Sequence, residues 1–493
     1  IEGTLDVNWT DTEPSPKGKL EAYDFSQDKV EPLMDGISDF SVSADGKITA
    51  IRVGKKLRVV PVGFKETEPK PGEPGRESGW VELGRIQLEV VPGDEWRQMF
   101  NEAWRLQRDQ YWRPDMAGVD WEEIAQRYLP LVDRIGSRAE FSDLMWETQG
   151  ELGTSHAYEL GGDYRPEPAW LQGFLGADLA FDGRSWKVTR IPRGDSWLSA
   201  ASSPLAAPGV DVKEGDRILA VEGRKVDGET SPYATLVGRA GRPVQLLVRR
   251  GRRKARTVVV DTLRNEFDLR YRDWVEANRR RVHDETNGRV GYVHIPDMGP
   301  RGYAEFHRYF GTEVDHEGLI IDVRNNRGGH VSQLLLEKLT RKRIGYDVTR
   351  YGRPESYPED APMGPMVALT DEYSGSDGDI FSHAFKLFGL GPLIGTRTWG
   401  GVVGIWPRHA LVDGTITTQP EFSFWFEDVG WGVENYGTAP DIEVEITPQD
   451  HTAGRDPQMD RAIAEVIAII DQEQPAIPEF EEPPSRMLPK LPD

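Results

Sequence analysis

A multidomain α+β chain is predicted, on three observations. Short alternating runs with Asp-Gly turns mark β structure near the start, and short strands recur over 172–265. Aromatic residues spaced three and four apart mark helices over 94–149. Beyond about residue 267, apolar runs of buried-strand type alternate with helical stretches, the pattern of an α/β domain. At 493 residues the chain has room for roughly three domains of ordinary size.

Taken in order, residues 1–64 hold the first β segment. Phe40–Ser43 and Ile48–Val53 alternate, are joined through Asp45-Gly46, and are followed by Leu57–Val60. About four antiparallel strands over 20–62 amount to one β-propeller blade. A solitary blade cannot close a ring, so 1–64 is read as a last blade with others expected upstream; the alternative is a small independent sheet. Residues 65–84, rich in Pro, Gly and charge, read as a linker.

Residues 85–165 form the helical domain. Trp96, Phe100, Ala103, Trp104 and Gln107 fall on one face, and Ser137 with Glu140 reads as a capping box. The segment ends in Gly150–Tyr158, where glycines interrupt the helix and leave Ser155 and His156 on a loop. Over 166–266, short strands surround Gly209–Val226, which resembles the signature stretch of a PDZ domain, a β-domain that adds an extended peptide to a sheet edge. Its Arg249–Lys254 tract closes a hairpin, either as a solvated turn or as a peptide-steering patch.

Residues 267–472 form the α/β domain. A helix near 268–281 precedes buried strands at Val290–Ile295, Leu319–Val323, Met366–Thr370 and Leu393–Ile394, alternating with helices around 331–343 and 377–388. Strands Gly404–Leu411 and Thr415–Phe426 turn at Asp413-Gly414, Met459–Ile470 makes an amphipathic helix, and 473–493 is a Pro-rich tail.

Composition narrows the chemistry. Lys plus Arg is 60 against 82 for Asp plus Glu, and the formal charge of −22 disfavours nucleic acid and anionic membrane as partners. The absence of cysteine excludes disulfides, thiolate metal sites and a cysteine nucleophile, and fits a reducing cytoplasm. The longest apolar run, Ala462–Ile470, carries Glu465 and is too short to span a bilayer, so a soluble chain is expected. With Ile1 first and no initiator Met, a fragment or processed product is expected. No metal site is expected: His316-Glu317 lacks a second histidine four residues on.

The run Tyr373–Asp379 sits between an apolar strand and an apolar-periodic helix, which is the setting of a nucleophile turn. Ser376 there is pushed out of the chain path beside the free amides of a first helical turn; the plainer reading is a helix N-cap. An alcohol needs a base within hydrogen-bond reach. His383, seven residues along the helix, lies roughly 10 Å away and is too far. His330 and His156 both stay open as candidates. Gly328-Gly329 follows a central strand, at the end where α/β ligand sites gather. The amides of Gly329 and Asp377 would converge into an oxyanion hole if the strands bearing them are neighbours.

Taken together, Gly153–Tyr158, Glu372–Asp379, Gly432–Gly437 and the PDZ stretch resemble the tricorn branch of the tail-specific (C-terminal processing) serine peptidases, and would correspond to the carboxyl half of such an enzyme. The resemblance implies a crotonase-like α/β catalytic domain, with Ser376 as nucleophile, His156 as base, Ser155 and Glu434 orienting the imidazole, and Gly329 and Asp377 as oxyanion donors. It implies that Asp347 selects a basic side chain before the cut and reaches a neighbouring subunit's site. Peptide substrates, a homohexamer, downstream aminopeptidases, an acyl-enzyme route and no cofactor are implied too. The lysine base used elsewhere in the larger family has no counterpart between Lys386 and Lys490. The rival expectation is a non-catalytic peptide receptor or scaffold in which Ser376 only caps a helix.

Overall fold

A computed structural model describes residues 18–64, 74–164, 170–473, 478–480 and 485–488. Part of the expected linker and most of the expected tail lie outside the described residues. The chain divides by contact into two units, one reaching residue 105 and including 125–135, the other made of 106–124 and 136 onward.

In the first unit, strands Gly18–Asp24 and Lys29–Ile37 pair antiparallel, and Asp39–Val42, Ile48–Val53 and Lys56–Pro61 form a separate antiparallel sheet. Five strands in two sheets replace the single sheet of about four that the sequence predicts. The reason is local: the first pair carries two register shifts, and its second strand contains Pro32 and a left-handed Gly36, so it lacks clean alternation. Leu20, Met34, Ile37, Ile51 and Val60 share one buried cluster.

In the second unit, strands from Asp178–Phe181 to Arg256–Asp261 make a six-stranded sheet whose hairpin Pro243–Arg249/Arg256–Asp261 turns on the basic tract. Within that tract Arg250 is tied to Asp216 by two contacts of 2.9 Å, so this guanidinium holds the fold together. Helix Arg138–Gly150 starts at Ser137, which accepts from Glu140 N at 3.2 Å. The Glu140 carboxylate reaches past Ser137 to Gly136 N at 2.6 Å, a variant of the expected box.

The α/β part is built on five parallel strands, ordered Val290–His294, Gly318–Asp322, Met366–Thr370, Leu393–Gly395, Ile442–Glu443. The first three are buried at every position, as expected for a parallel sheet covered on both faces. Helices Phe267–Glu285 and Pro300–Glu313 pack on the first strand, and Pro457–Gln472 covers the next three. Helix Pro300–Glu313 went unread in the sequence because it opens on Gly-Pro-Arg-Gly. Asp297 Oδ1 accepts from Gly299 N (2.8 Å) and Gly302 N (2.9 Å), turning those residues into a helix start. The expected long hairpin over 404–426 is broken into pieces of two or three residues, Pro407 and Pro420 each removing a ladder donor. The pieces still pair across the turn, Gly404–Ile405 with Pro420–Phe422 and His409–Ala410 with Ile416–Thr417, and Ile416–Thr417 pairs on its other side with Glu159–Leu160 directly after the His156 loop. Among the described residues no helix is long and apolar enough to cross a membrane.

Candidate active site

Strand Met366–Thr370 ends in a turn that places Ser376 at φ 56°, ψ −120°, immediately before helix Asp377–Leu387. A non-glycine residue there is strained, of order 1–3 kcal/mol, and must be held by its surroundings. Ser376 occupies the N-cap position, yet its side chain caps nothing. Its amide and those of Gly400 (2.8 Å) and Gly401 (3.3 Å) are bound by the buried Asp379 carboxylate. Burial pushes the Asp379 carboxyl up to about 6, against the pull of these donors and Thr398.

Ser376 Oγ lies 3.1 Å from His156 Nε2. His156 is itself in a left-handed conformation, φ 65°, and buried; its carbonyl accepts from Thr418 Oγ1 (2.5 Å), which also accepts from Tyr158 N (2.8 Å). On its far side, His156 Nδ1 is 2.7 Å from Ser155 Oγ, and Ser155 Oγ donates to Glu434 Oε2 at 3.2 Å. The carboxylate can only accept, so the Ser155 proton points to it and Ser155 Oγ accepts from Nδ1–H. His156 is then the neutral Nδ1–H tautomer with its Nε2 lone pair on Ser376. Burial lowers the imidazole to about 4, with Glu434 opposing and His330 adding to that shift.

Glu434 is fixed by four further donors: Thr154 Oγ1 (3.0 Å), Ser155 N (2.7 Å), Val402 N (2.7 Å) and Val403 N (3.1 Å). Five hydrogen bonds leave the carboxylate one orientation. Thr154 and the Val402 and Val403 amides were not found from sequence; a backbone donor carries no residue signature. A cleft of about 500 Å³ lined by Gly153, Thr154, Ser155, Trp399, Gly400 and Asn435 borders this carboxylate side of the relay.

The condition on the oxyanion donors is met at the level of the sheet: strands Gly318–Asp322 and Met366–Thr370 are parallel neighbours. Their loops abut so closely that a Cβ on Gly328 would lie 2.5 Å from Ser376 Cβ and 3.1 Å from Asp377 N. At Gly329 (φ 150°) a Cβ would meet Met298 O at 2.0 Å. Among the described residues neither the Gly329 nor the Asp377 amide donates a hydrogen bond. The Asp377 side chain points away from its own amide, to Ser332 N (2.9 Å) and Ser332 Oγ. Asn326, fully buried and unremarked in the sequence, joins the loops: Oδ1 accepts from Gly328 N (2.9 Å), Nδ2 donates to Ile295 O (2.8 Å) and its carbonyl accepts from Gly375 N (2.9 Å).

The remaining candidates fall elsewhere. His383 bonds Asp428 (3.0 Å) and Thr438 (3.2 Å), in keeping with a structural role. His330 is exposed, stacks on Trp406 with ring centroids 5.6 Å apart, and is charge-coupled to His156. Asp347 is the exposed end of strand Gly345–Asp347, paired with Glu355–Tyr357, and no described interaction joins it to Ser376.

Residues 289–444 match Peptidase family S41, residues 173–265 the tricorn protease PDZ domain and residues 92–150 the tricorn protease C1 domain. Tricorn protease homolog 1 of Streptomyces coelicolor is 48% identical over 495 residues, covering 100% of this chain and 45% of that protein. Tricorn protease of Thermoplasma volcanium is 41% identical over 463 residues, covering 94% and 44%. A crystal structure of the tricorn protease superposes with a TM-score of 0.86 at 42% identity, over 93% of this chain and 44% of that one. The chain thus spans less than half the length of these relatives. Three domain matches in one order, with a common fold over nearly all its residues, show that the chain belongs to the tricorn branch of peptidase family S41.

Proposed function

We propose that this chain is a serine peptidase that hydrolyses oligopeptides, with Ser376 as nucleophile, His156 as general base, and Ser155 and Glu434 as positioning residues. The observation that carries the reading is the unbroken hydrogen-bond relay from Ser376 Oγ through both nitrogens of His156 and Ser155 Oγ to Glu434. Ser376 Oγ attacks the scissile carbonyl carbon while Nε2 takes its proton, and the imidazolium is stabilised through Ser155 by the Glu434 charge. The carbonyl oxygen gathers negative charge in reach of the Gly329 and Asp377 amides. Collapse expels the amine, which leaves with the Nε2 proton, and the acyl-enzyme remains. Water gives a proton to the same nitrogen, its oxygen attacks the acyl carbon, and Ser376 Oγ leaves, taking that proton back from Nε2 as the acid product departs.

Asp347 is assigned the pairing with a Lys or Arg side chain before the cut, acting on a neighbouring subunit's site in a homohexamer. Released peptides would pass to aminopeptidases. A cytoplasmic setting belongs to the same proposal, in line with the cysteine-free composition.

A fluorophosphonate tests the central claim. Stoichiometric labelling at Ser376 is expected, absent in Ser376→Ala. Peptide cleavage should fall on the order of a millionfold in Ser376→Ala or His156→Ala. A correctly folded chain that binds peptide but is neither labelled nor able to cleave would establish the receptor reading instead.

A further inference from the structure

At the amino ends of the parallel strands, opposite to the carboxyl end from which the Ser376 turn leaves, three side chains from separate elements converge. His283 lies near the end of helix Phe267–Glu285, Glu313 ends helix Pro300–Glu313, and His316 stands two residues before strand Gly318–Asp322. His283 Nε2 is 2.7 Å and His316 Nε2 3.8 Å from Glu313 Oε2, and one ligand atom from each residue falls within 4.8 Å of the others.

The surroundings prepare these atoms for a cation. His316 Nδ1 lies 2.7 Å from the Gly288 carbonyl oxygen, which can only accept, so Nδ1 carries the proton and the Nε2 lone pair faces the carboxylate. A ring N–H held by a backbone carbonyl is the arrangement that orients metal-bound histidines. Glu313 is 1% exposed and is further held by Tyr292 N (3.0 Å) and Arg279 (3.2 Å). Arg279 is shared with Glu276 at 3.1 Å, so the group retains one net negative charge. Both imidazoles are 25% exposed, which leaves a route of entry.

We infer that His283, Glu313 and His316 form a binding site for one divalent transition cation of the Zn²⁺, Co²⁺, Ni²⁺ class. Two imidazoles and one carboxylate suit these ions better than Mg²⁺ or Ca²⁺. Tetrahedral Zn²⁺ ligands stand about 3.3 Å apart, between the two separations to Glu313, and with all three atoms within 4.8 Å of one another no pair has to close by more than about 1.5 Å. On binding, neutral His283 shifts its proton from Nε2 to Nδ1, and the ion replaces that proton against Glu313. The ion ties two helices to the entry of a central strand, and binding only the folded chain it raises stability. This site stands apart from the reading of Ser376. Sequence spacing could not reveal it, since 32 residues lie between His283 and His316 and neither has a second histidine three or four residues away.

The test uses metal-free chain without a histidine tag, titrated with Co²⁺ and followed by visible absorption, with Zn²⁺ equilibrium dialysis and thermal melts alongside. One equivalent bound per chain and a raised melting midpoint are expected. His316→Asn and His283→Gln, each confirmed as folded by its metal-free melt, should weaken binding at least about tenfold. His451→Asn should leave it unchanged. The inference is overturned if the parent chain binds no equivalent, or if both ligand variants keep it. It is also overturned if lowering the pH stabilises the chain while no metal binds, since the carboxylate then serves an imidazolium alone.

Discussion

Burial fixes what His156 can do. Removed from water, the imidazole loses the stabilisation of its charged form and titrates at about 4, so at neutral pH it is an unprotonated acceptor. Below that value it binds a proton and cannot take the one on Ser376, so kcat/KM should fall as pH drops through about 4, well under the ordinary histidine value near 6.5. Glu434 opposes the shift, so Glu434→Gln should move this acidic limb further down while cutting kcat by about 10³ to 10⁴. A pH–rate profile of both proteins checks the sign; a limb near 6.5 in the parent would sink the burial explanation. None of this was visible in the string Gly153–Tyr158, where a loop histidine looks solvated; its burial and its contacts with Ser376 and Thr418 come from segments far along the chain.

At the scale of elements, the two turns at the site are built by close approach. Gly328 is at φ 75° and a Cβ there meets the Ser376 Cβ, so Gly328→Ala must displace one loop from the other. A shift of about 1 Å costs on the order of a hundredfold in rate, which kcat on a peptide substrate would read, with fluorophosphonate labelling slowed in step. The strand after His156 depends on Arg138, whose guanidinium bonds Glu159 (2.7 Å), Asp413 (2.8 Å) and Thr415 (2.6 Å) while nearly buried. Arg138→Leu leaves two buried carboxylates without their cation and should cost about 3–5 kcal/mol in denaturant unfolding, with a loss of activity. Stability within 1 kcal/mol of the parent would refute that account. Strands such as Met366–Thr370 were legible because full burial writes an unbroken apolar run. The hairpin over 404–426 was legible in its turn and pairing but not in its continuity, since Pro407 and Pro420 interrupt the ladder and leave only short paired pieces.

For the whole molecule, the role proposed for Asp347, at a neighbouring subunit's site, requires a second copy. Preference for Lys or Arg before the cut should then rise with protein concentration as assembly, followed by sedimentation, proceeds. In the assembled form Asp347→Asn should lower kcat/KM for basic peptides by about tenfold to a hundredfold, the scale of a hydrogen bond to a charged group, and leave neutral ones alone. Equal preference in monomer and assembly would contradict the cross-subunit assignment. The chain matches 44–45% of the length of the three relatives compared above, so assembly of this length of chain is itself an outcome of that experiment.

By itself the sequence determined the run of β, helical and α/β segments, the buried strands and the strand-to-helix turn at Ser376, because burial periodicity, glycine placement and cap chemistry act over a few residues and are written locally. Only tertiary structure decided that Ser376, the 154–156 loop, the Val402 and Val403 amides and Glu434 meet. These lie in four segments separated by up to 280 residues, brought together by the sheet order and by strand Ile416–Thr417 pairing beside His156. The protonation state of His156 and the gathering of His283 with His316 were decided the same way, since desolvation and ligand spacing belong to the packed volume and have no period along the chain.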